Sequence, residues 1–279
     1  MWVIWQDTMR IIGVRWCYLL GQGKGEPVSD VQFAAEIAKE SGRVLLQLRA
    51  QARSKAMTES ELKVAGDRAS QEFLNRRLVE SYPDDSILSE EATDDLTRLS
   101  NDRVWIIDPL DGTREYSEGR DDWVVHVALW KSGQLVVGAV ALPGLDELLV
   151  SRSEPMGALN RGMRPVRIAV SRTRPPQIVA ELSNHLDIEF VPMGSAGFKA
   201  CAVARGEVDA YIHAGGQYEW DSAAPVAVAA SRDLHVSRID GSPLEYNQEN
   251  PYLPDLLICR KELRAALLGA MAGITLQTT

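Results

Sequence analysis

Val104-Trp-Ile-Ile-Asp-Pro-Leu-Asp-Gly-Thr113 is a short β-rich apolar run that passes directly into a tight acidic turn. Pro109 fixes its own φ and lacks an N–H, while Gly112 tolerates close approach or a positive φ. The backbone can therefore fold around a small ligand and aim the Asp108 and Asp111 carboxylates and the Leu110 carbonyl at one point. Donors of oxygen alone suit Mg²⁺ or Mn²⁺ far better than Zn²⁺. Packed carboxylates repel one another unless a cation neutralises them or one holds a proton, so the turn is either a metal cage or a shared-proton pair. Taken alone, the same residues also suit an ordinary turn, where Asp, Pro and Gly are common.

Outward from this segment, acidic residues recur at element ends. A strand over Ser86 to Ser89 stops at Glu90-Glu91. A helix predicted from about Ala65 to Ser81 carries Asp67 in its first turn, and Trp220-Asp221 opens a small-residue helix beginning at Ser222. Asp221 alone would serve as an N-cap. Upstream, Ser29 or Asp30 caps a helix with Phe33, Ile37, Val44, Leu45 and Leu48 at helical spacing, running to about Arg53. Downstream, Val124 to Trp130, Leu135 to Leu142 and Glu147 to Ser151 predict an antiparallel meander turning at Ser132-Gly133 and Pro143-Gly144.

After the turn-rich stretch from Ser153 to Pro165 the pattern changes to alternating strand and helix. Strands are predicted over 166–170, 188–192 and 209–214, and helices over 176–186, 195–205 and 222–231. A strand over 256–259 and a helix over 262–271 follow. This predicts an α+β half over residues 28–162, holding most of the acidic cluster, and an α/β half over 163–279. Residues 1–27 form an extension expected to lie outside the fold: Asp7, Arg10 and Arg15 interrupt its apolar run, against both a secretory signal and a membrane span.

With 279 residues, 45% hydrophobic and 25% charged, the chain has a globular composition, which excludes disorder, collagen-like repeats and a disulfide scaffold. A net charge of -9 argues against nucleic-acid binding through general phosphate attraction. Three cysteines without Cys-x-x-Cys spacing argue against a zinc or redox motif and fit a reducing, cytoplasmic setting. His126, His185, His213 and His235 show no shared metal-binding spacing and are read as structural. Gly194-Ser195 opens a helix whose N–H groups could meet an anion, with Lys199 one turn on along the same face; a Ser cap followed by a solvated lysine is the plain alternative.

Ser89-Glu-Glu91, Trp105-Ile-Ile-Asp-Pro-Leu-Asp-Gly-Thr113 and Trp220-Asp-Ser-Ala-Ala224, in that order and spacing, resemble the inositol monophosphatase superfamily of metal-dependent, lithium-sensitive phosphatases. The likeness spans nearly everything after residue 28. Arg114-Glu-Tyr116, Val170-Ser-Arg172 and Gln217-Tyr-Glu-Trp-Asp221 are similar to its 3'(2'),5'-bisphosphate nucleotidase branch, and Asn250-Pro-Tyr-Leu-Pro-Asp255 resembles actinobacterial members. The resemblance implies a layered αβαβα sandwich, α+β then α/β, with the active site between the halves.

It also implies site roles. Glu90, Asp108 and the Leu110 carbonyl match the ligands of a first metal; Asp108, Asp111 and Asp221 match those of a second; Asp67 and Glu90 match a third. Thr113 with Asp67 matches the pair that orients and deprotonates the attacking water, with no phosphoenzyme formed. Substrate would meet Leu110, Asp111, Gly112, Thr113 and Asp221, with N–H donors at Gly112 and Thr113 and a second phosphate taken by Ser195 and Lys199. Ser171 and Arg172 are further candidates for that phosphate, and Glu219 for a ribose hydroxyl.

The implied activity is Mg²⁺-dependent removal, by metal-activated water, of the 3'-phosphate from adenosine 3',5'-bisphosphate and 3'-phosphoadenylyl sulfate in sulfur assimilation, with two or three ions and Mn²⁺ as a substitute. Inositol monophosphatase or fructose 1,6-bisphosphatase activity is one alternative, and a non-catalytic metal- or nucleotide-binding regulator another. The implied partner is a phosphorylated nucleotide, with no nucleic acid or membrane, in a homodimer. One departure stands: the family usually has Thr three residues before the Asp that Asp67 matches, where this chain has Val64, with Lys63 beside it.

Overall fold

The structure is a computed structural model that describes residues 29–151, 164–173 and 175–274. The expectations for residues 1–27 and for the boundary at 162/163 lie outside the described residues.

Helix α1 (Asp30–Ser54) starts where the sequence places it: Ser29 Oγ accepts from Gln32 N–H, and the Gln32 side chain accepts from Ser29 N–H. Helix α2 (Glu59–Ser81) begins at Glu59 rather than Ala65, because Thr58 and Glu61 form a reciprocal capping box. Glu59-Ser-Glu-Leu-Lys-Val64 gives only Leu62 to the core, so its apolar periodicity is faint. Asp67 consequently sits well inside α2 and not in its first turn. Val64, where the family usually has Thr, is the sixth residue of this helix and is 66% exposed.

The first sheet comprises β1 (Ser86–Ser89), β2 (Arg103–Asp111), β3 (Val124–Lys131), β4 (Gln134–Leu142) and β5 (Glu147–Val150), in that spatial order, with the short helix α3 (Thr113–Ser117) after β2. β1 pairs parallel with β2, and β2 to β5 form the expected antiparallel meander. Beyond it come β6 (Val166–Ser171), α4 (Gln177–Leu182), β7 (Ile188–Met193), α5 (Ala196–Ala204), β8 (Ala210–Tyr218), α6 (Glu219–Ser231), β9 (His235–Ser237), β10 (Tyr252–Cys259) and α7 (Arg264–Ala272). Their strands make a second sheet ordered β7-β6-β8-β10-β9. β6 runs parallel to β7 and β8, and β10 runs antiparallel to β8 and β9. β8 and β10 are longer than predicted, α4 is shorter, α6 starts earlier at Glu219, and the three-residue β9 was too short to signal itself.

Strand alternation sorts the core into three slabs. Trp105 and Ile107 join α1 and α2 on one face of the first sheet. Val104 and Ile106 point the other way, to a slab shared with α5, α6 and Tyr211, Leu256 and Ile258 of the second sheet. Ile212, Leu257 and Cys259 face the last slab, under α4 and α7. The result is five layers, αβαβα, as the resemblance implies. Helix α6 lies across β2, β3 and β4, which brings Asp221 to the end of β2.

Candidate active site

β2 does not stop at Asp108 but carries on to Asp111 through a bulge. Asp108 pairs with His126 and Asp111 with Val124, so one strand advances a residue more than its neighbour. Such a bulge re-aims side chains, and it accommodates Pro109, which can donate to no ladder. Two hydroxyls hold the bulge from below: Ser70 Oγ donates to the Pro109 carbonyl at 2.6 Å, and Ser41 Oγ, which must then be the donor, reaches Ser70 Oγ at 2.6 Å. Gly112 has φ +92°, and a Cβ there would lie 3.0 Å from the Ser195 Cβ, so the turn needs glycine for both conformation and space.

The structure brings Asp67, Glu90, Asp108, Asp111 and Asp221 into one electrostatic cluster. Asp108 is 1% exposed; its Oδ1 accepts from Leu110 N–H at 3.0 Å and its Oδ2 has no partner. Burial, then the charges of Glu90, Asp111 and Asp221, push its carboxyl well above the usual range. Glu90 keeps solvent contact as a residue, yet its carboxyl is crowded: desolvation, then Asp111, Glu91 and Asp67, raise it to about 7. Asp221 is raised to about 7 by burial and then by Asp111. Asp67, half-buried, is raised to about 7 by burial and then by Glu91, with Lys63 opposing.

Asp221 is the third residue of α6, not its cap, and its Oδ2 accepts from Tyr218 N–H at 2.7 Å. Asp108, Asp111 and His126 each offer a ligand atom within 4.8 Å of the others. An orphaned buried carboxylate oxygen among carboxyls with raised pKa values is the donor set of a hard divalent cation, so the residues fit a metal site.

Ser195 and Lys199 lie beside the cluster, but their polar groups already have internal partners. Ser195, at φ +45°, donates its hydroxyl to Asp111 Oδ2 at 2.7 Å and accepts from Phe198 N–H at 2.9 Å. Ala196 and Gly197 N–H groups also reach the Asp111 carboxylate, at 3.2 and 2.5 Å. Helix α5 thus directs its N-terminus at an anion, and the anion is Asp111. Lys199 is buried; its Nζ donates to the Gly194 carbonyl at 3.2 Å and to the Ser195 carbonyl, over the Tyr211 ring. Burial depresses its ammonium, while Asp111, Glu115 and Asp122 oppose that shift.

A cavity of about 700 Å³ opens above Asp111, Gly112, Thr113 and Asp221 and extends along Arg172, His213 and Gly215-Gly216. Arg172 hydrogen-bonds Glu115 at 3.1 Å and Glu118 at 2.8 Å, and its buried Nε has no partner. Thr113 Oγ1 makes only a long 3.4 Å contact with the Leu110 carbonyl. Glu219 is fully buried away from this cavity, accepting from the Asn247 and Gln248 N–H groups at 2.7 and 2.8 Å.

The inositol monophosphatase family model matches residues 27–272. The chain belongs to this family. Its members are metal-dependent, in keeping with the carboxylate cluster. A relative from Mycobacterium bovis, named 3'-phosphoadenosine 5'-phosphate phosphatase, is 53% identical over 243 residues, 84% of this chain and 90% of its own. The 3'(2'),5'-bisphosphate nucleotidase CysQ of Escherichia coli is 32% identical over 183 residues, 61% of this chain and 74% of its own. Inositol monophosphatase-II of Staphylococcus aureus superposes with a TM-score of 0.73 at 22% identity, covering 85% of this chain and 91% of that one.

Two features of this family member escaped the sequence reading. His126, read as a satisfied histidine, is satisfied only at Nδ1, and its Nε2 has no partner. Arg98, 1% exposed, pairs with Asp94 and donates to Asn247 and Gln248, tying the segment after Glu90-Glu91 to the residues that hold Glu219. The Trp220 partner of His126 and the Asn247 and Gln248 partners of Arg98 are far away in sequence, and only the Asp94–Arg98 pair is local. Among the described residues no helix is long and apolar enough to cross a membrane.

Proposed function

We propose that the chain is a phosphatase that removes the 3'-phosphate from adenosine 3',5'-bisphosphate, and from 3'-phosphoadenylyl sulfate, with Mg²⁺ as its working ion and Mn²⁺ as a substitute. The observation that carries this is the carboxylate cluster around the bare Asp108 Oδ2, which reaches the floor of the cavity through Asp111 and Asp221, with Arg172 in the cavity wall. The strongly similar mycobacterial relative supports the substrate. Glu90, Asp108, the Leu110 carbonyl, Asp111 and Asp221 would hold two ions, and Asp67 with Glu90 a third. Bound divalent cations would neutralise the carboxylates, acidify a water and stabilise charge on the phosphoryl and leaving oxygens.

The chain's own groups do the remaining work. Thr113 Oγ1, weakly engaged at 3.4 Å, orients the attacking water, and Asp67 receives its proton. Backbone N–H groups at Gly112 and Thr113 hold the phosphoryl oxygens, and Arg172 meets the second phosphate through its guanidinium. Ser195 acts one step back, as the hydroxyl that fixes Asp111. Lys199 braces the turn at Gly194 and Ser195 and adds positive charge to the wall. The free, buried thiols of Cys201 and Cys259 support a cytoplasmic setting.

The test is phosphate release with Mg²⁺ from adenosine 3',5'-bisphosphate, inositol 1-phosphate and fructose 1,6-bisphosphate, with and without lithium. Preference for the adenosine compound with lithium inhibition is expected. Preference for the inositol or sugar phosphate would discard the substrate assignment and keep the metal chemistry. Release from none would favour a non-catalytic binding protein.

A further inference from the structure

We propose that His126 is a positioning residue whose imidazole sets the spacing between Asp111 and Asp221. It lies on β3 directly opposite Asp108 and is fully buried. Its Nδ1 is 2.8 Å from the Trp220 carbonyl, the residue before Asp221. A carbonyl can only accept, so in the neutral imidazole Nδ1 carries the proton and Nε2 is bare. That bare nitrogen is 3.7 Å from Asp111 Oδ2 and hydrogen-bonds to nothing. Its other neighbour is Gly197: a Cβ there would come within 1.9 Å of Nε2, so the first turn of α5 rests on the edge of the ring. Gly197 N–H is in turn a donor to Asp111.

The ring is therefore a spacer with two working edges. One holds the start of α6, and with it Asp221. The other carries the turn of α5 that clamps Asp111. The Trp220 carbonyl selects the tautomer that offers Asp111 no proton, so the carboxylate is held by α5 and left facing Asp108 and Asp221. A ring with the proton on Nε2 would draw Asp111 onto itself. This role rests on the assignment of Asp111 and Asp221 as metal-holding residues in the proposed function.

The test is calorimetric titration of the metal-free full-length protein with Mn²⁺, alongside kcat and KM for adenosine 3',5'-bisphosphate with Mg²⁺. In His126→Asn the amide nitrogen takes the place of Nδ1 and still donates to Trp220. In His126→Gln the amide lies at the Nε2 end and can offer Asp111 a proton. His126→Asn, which keeps the edge that holds α6 but not the one that carries α5, is expected to lose less Mn²⁺ affinity than His126→Gln. His126→Gln and His126→Ala should lose affinity by about 10- to 100-fold, the usual range for partners that orient metal ligands, with kcat falling and KM nearly unmoved. Gly197→Ala should cause a similar loss alone but add less to His126→Ala, where the ring is gone and only the Val124 side chain, 2.9 Å from the added Cβ, still stands in its way.

Parent-like Mn²⁺ affinity in His126→Gln, or equal loss in the Asn and Gln variants, would overturn the spacer role. Should His126→Ala not fold, the Asn and Gln pair still decides. Parent-like Mn²⁺ affinity in Asp111→Asn and Asp221→Asn would instead overturn the metal assignment beneath the proposal.

Discussion

Asp108 and Asp209 are equally hidden from solvent and treated in opposite ways. Asp209, just before β8, receives both terminal nitrogens of Arg164 at 2.9 Å, Arg260 Nε at 3.1 Å and Arg167 N–H at 2.9 Å. Asp108, within β2, receives one backbone N–H, has a bare oxygen, and shares its neighbourhood with other carboxylates. Burial of a charge is tolerable only when paired or ligated. A buried acid with a full set of partners holds the fold together, whereas one surrounded by acids awaits a cation.

The largest effect that could break this contrast is a crossed pair of substitutions. Asp108→Asn should reduce turnover by more than the roughly 10- to 100-fold that partners of metal ligands are worth, while leaving metal-free stability unchanged or higher, since it removes a repelled charge. Asp209→Asn should do the reverse, costing about 3–5 kcal/mol of stability by leaving Arg260 buried and under-paired, with normal kcat per folded molecule. Urea unfolding with a chelator present, together with turnover at saturating Mg²⁺, reads both. If Asp108→Asn unfolds as readily as Asp209→Asn, the distinction between the two acids collapses.

Glu219 sharpens the same contrast at smaller scale. It lies beside the cluster in sequence, two residues before Asp221, yet both its oxygens are occupied by the Asn247 and Gln248 N–H groups. Glu219→Gln would turn an amide NH₂ toward an N–H donor, and an unmet buried polar group costs about 1–3 kcal/mol. The unfolding midpoint should fall while KM for adenosine 3',5'-bisphosphate stays unchanged. A selective rise in KM with the midpoint preserved would restore Glu219 as a group that touches the ribose.

What the sequence made legible follows the same physical line. Asp108-Pro-Leu-Asp-Gly-Thr113 carries its geometry in its own letters, and strands 86–89 and 124–151 carry theirs in apolar runs bounded by turn residues. The start of α2 was hidden because its capping box precedes a segment with one core residue. For Ser195 the reading of a helix N-terminus facing an anion had the right chemistry, but the chain supplies the anion itself from Asp111. Only tertiary packing could reveal that, since the two residues belong to different sheets' surroundings. His126 and Arg98 were illegible for the same reason, because their partners come from distant elements.

A pH slope in metal-free stability tests the same contrast without any substitution. Asp67, Glu90 and Asp221 are raised to about 7 in the folded protein, whereas in the unfolded chain they titrate near the ordinary carboxylate value of about 4. Between those values the folded form holds protons that the unfolded form has released, so stability must fall as pH rises through this window. Burial depresses His126, His213 and His235, which works in the opposite sense as pH approaches their unfolded value. The histidines contribute with or without metal, so the difference between unfolding midpoints in chelator and in Mg²⁺ isolates the carboxylates. That difference should widen from pH 5 to pH 7, because cations replace protons in relieving the repulsion. A gap independent of pH would mean that the cluster is balanced by the protein itself, and Asp108 would then differ from Asp209 only in the identity of its partners.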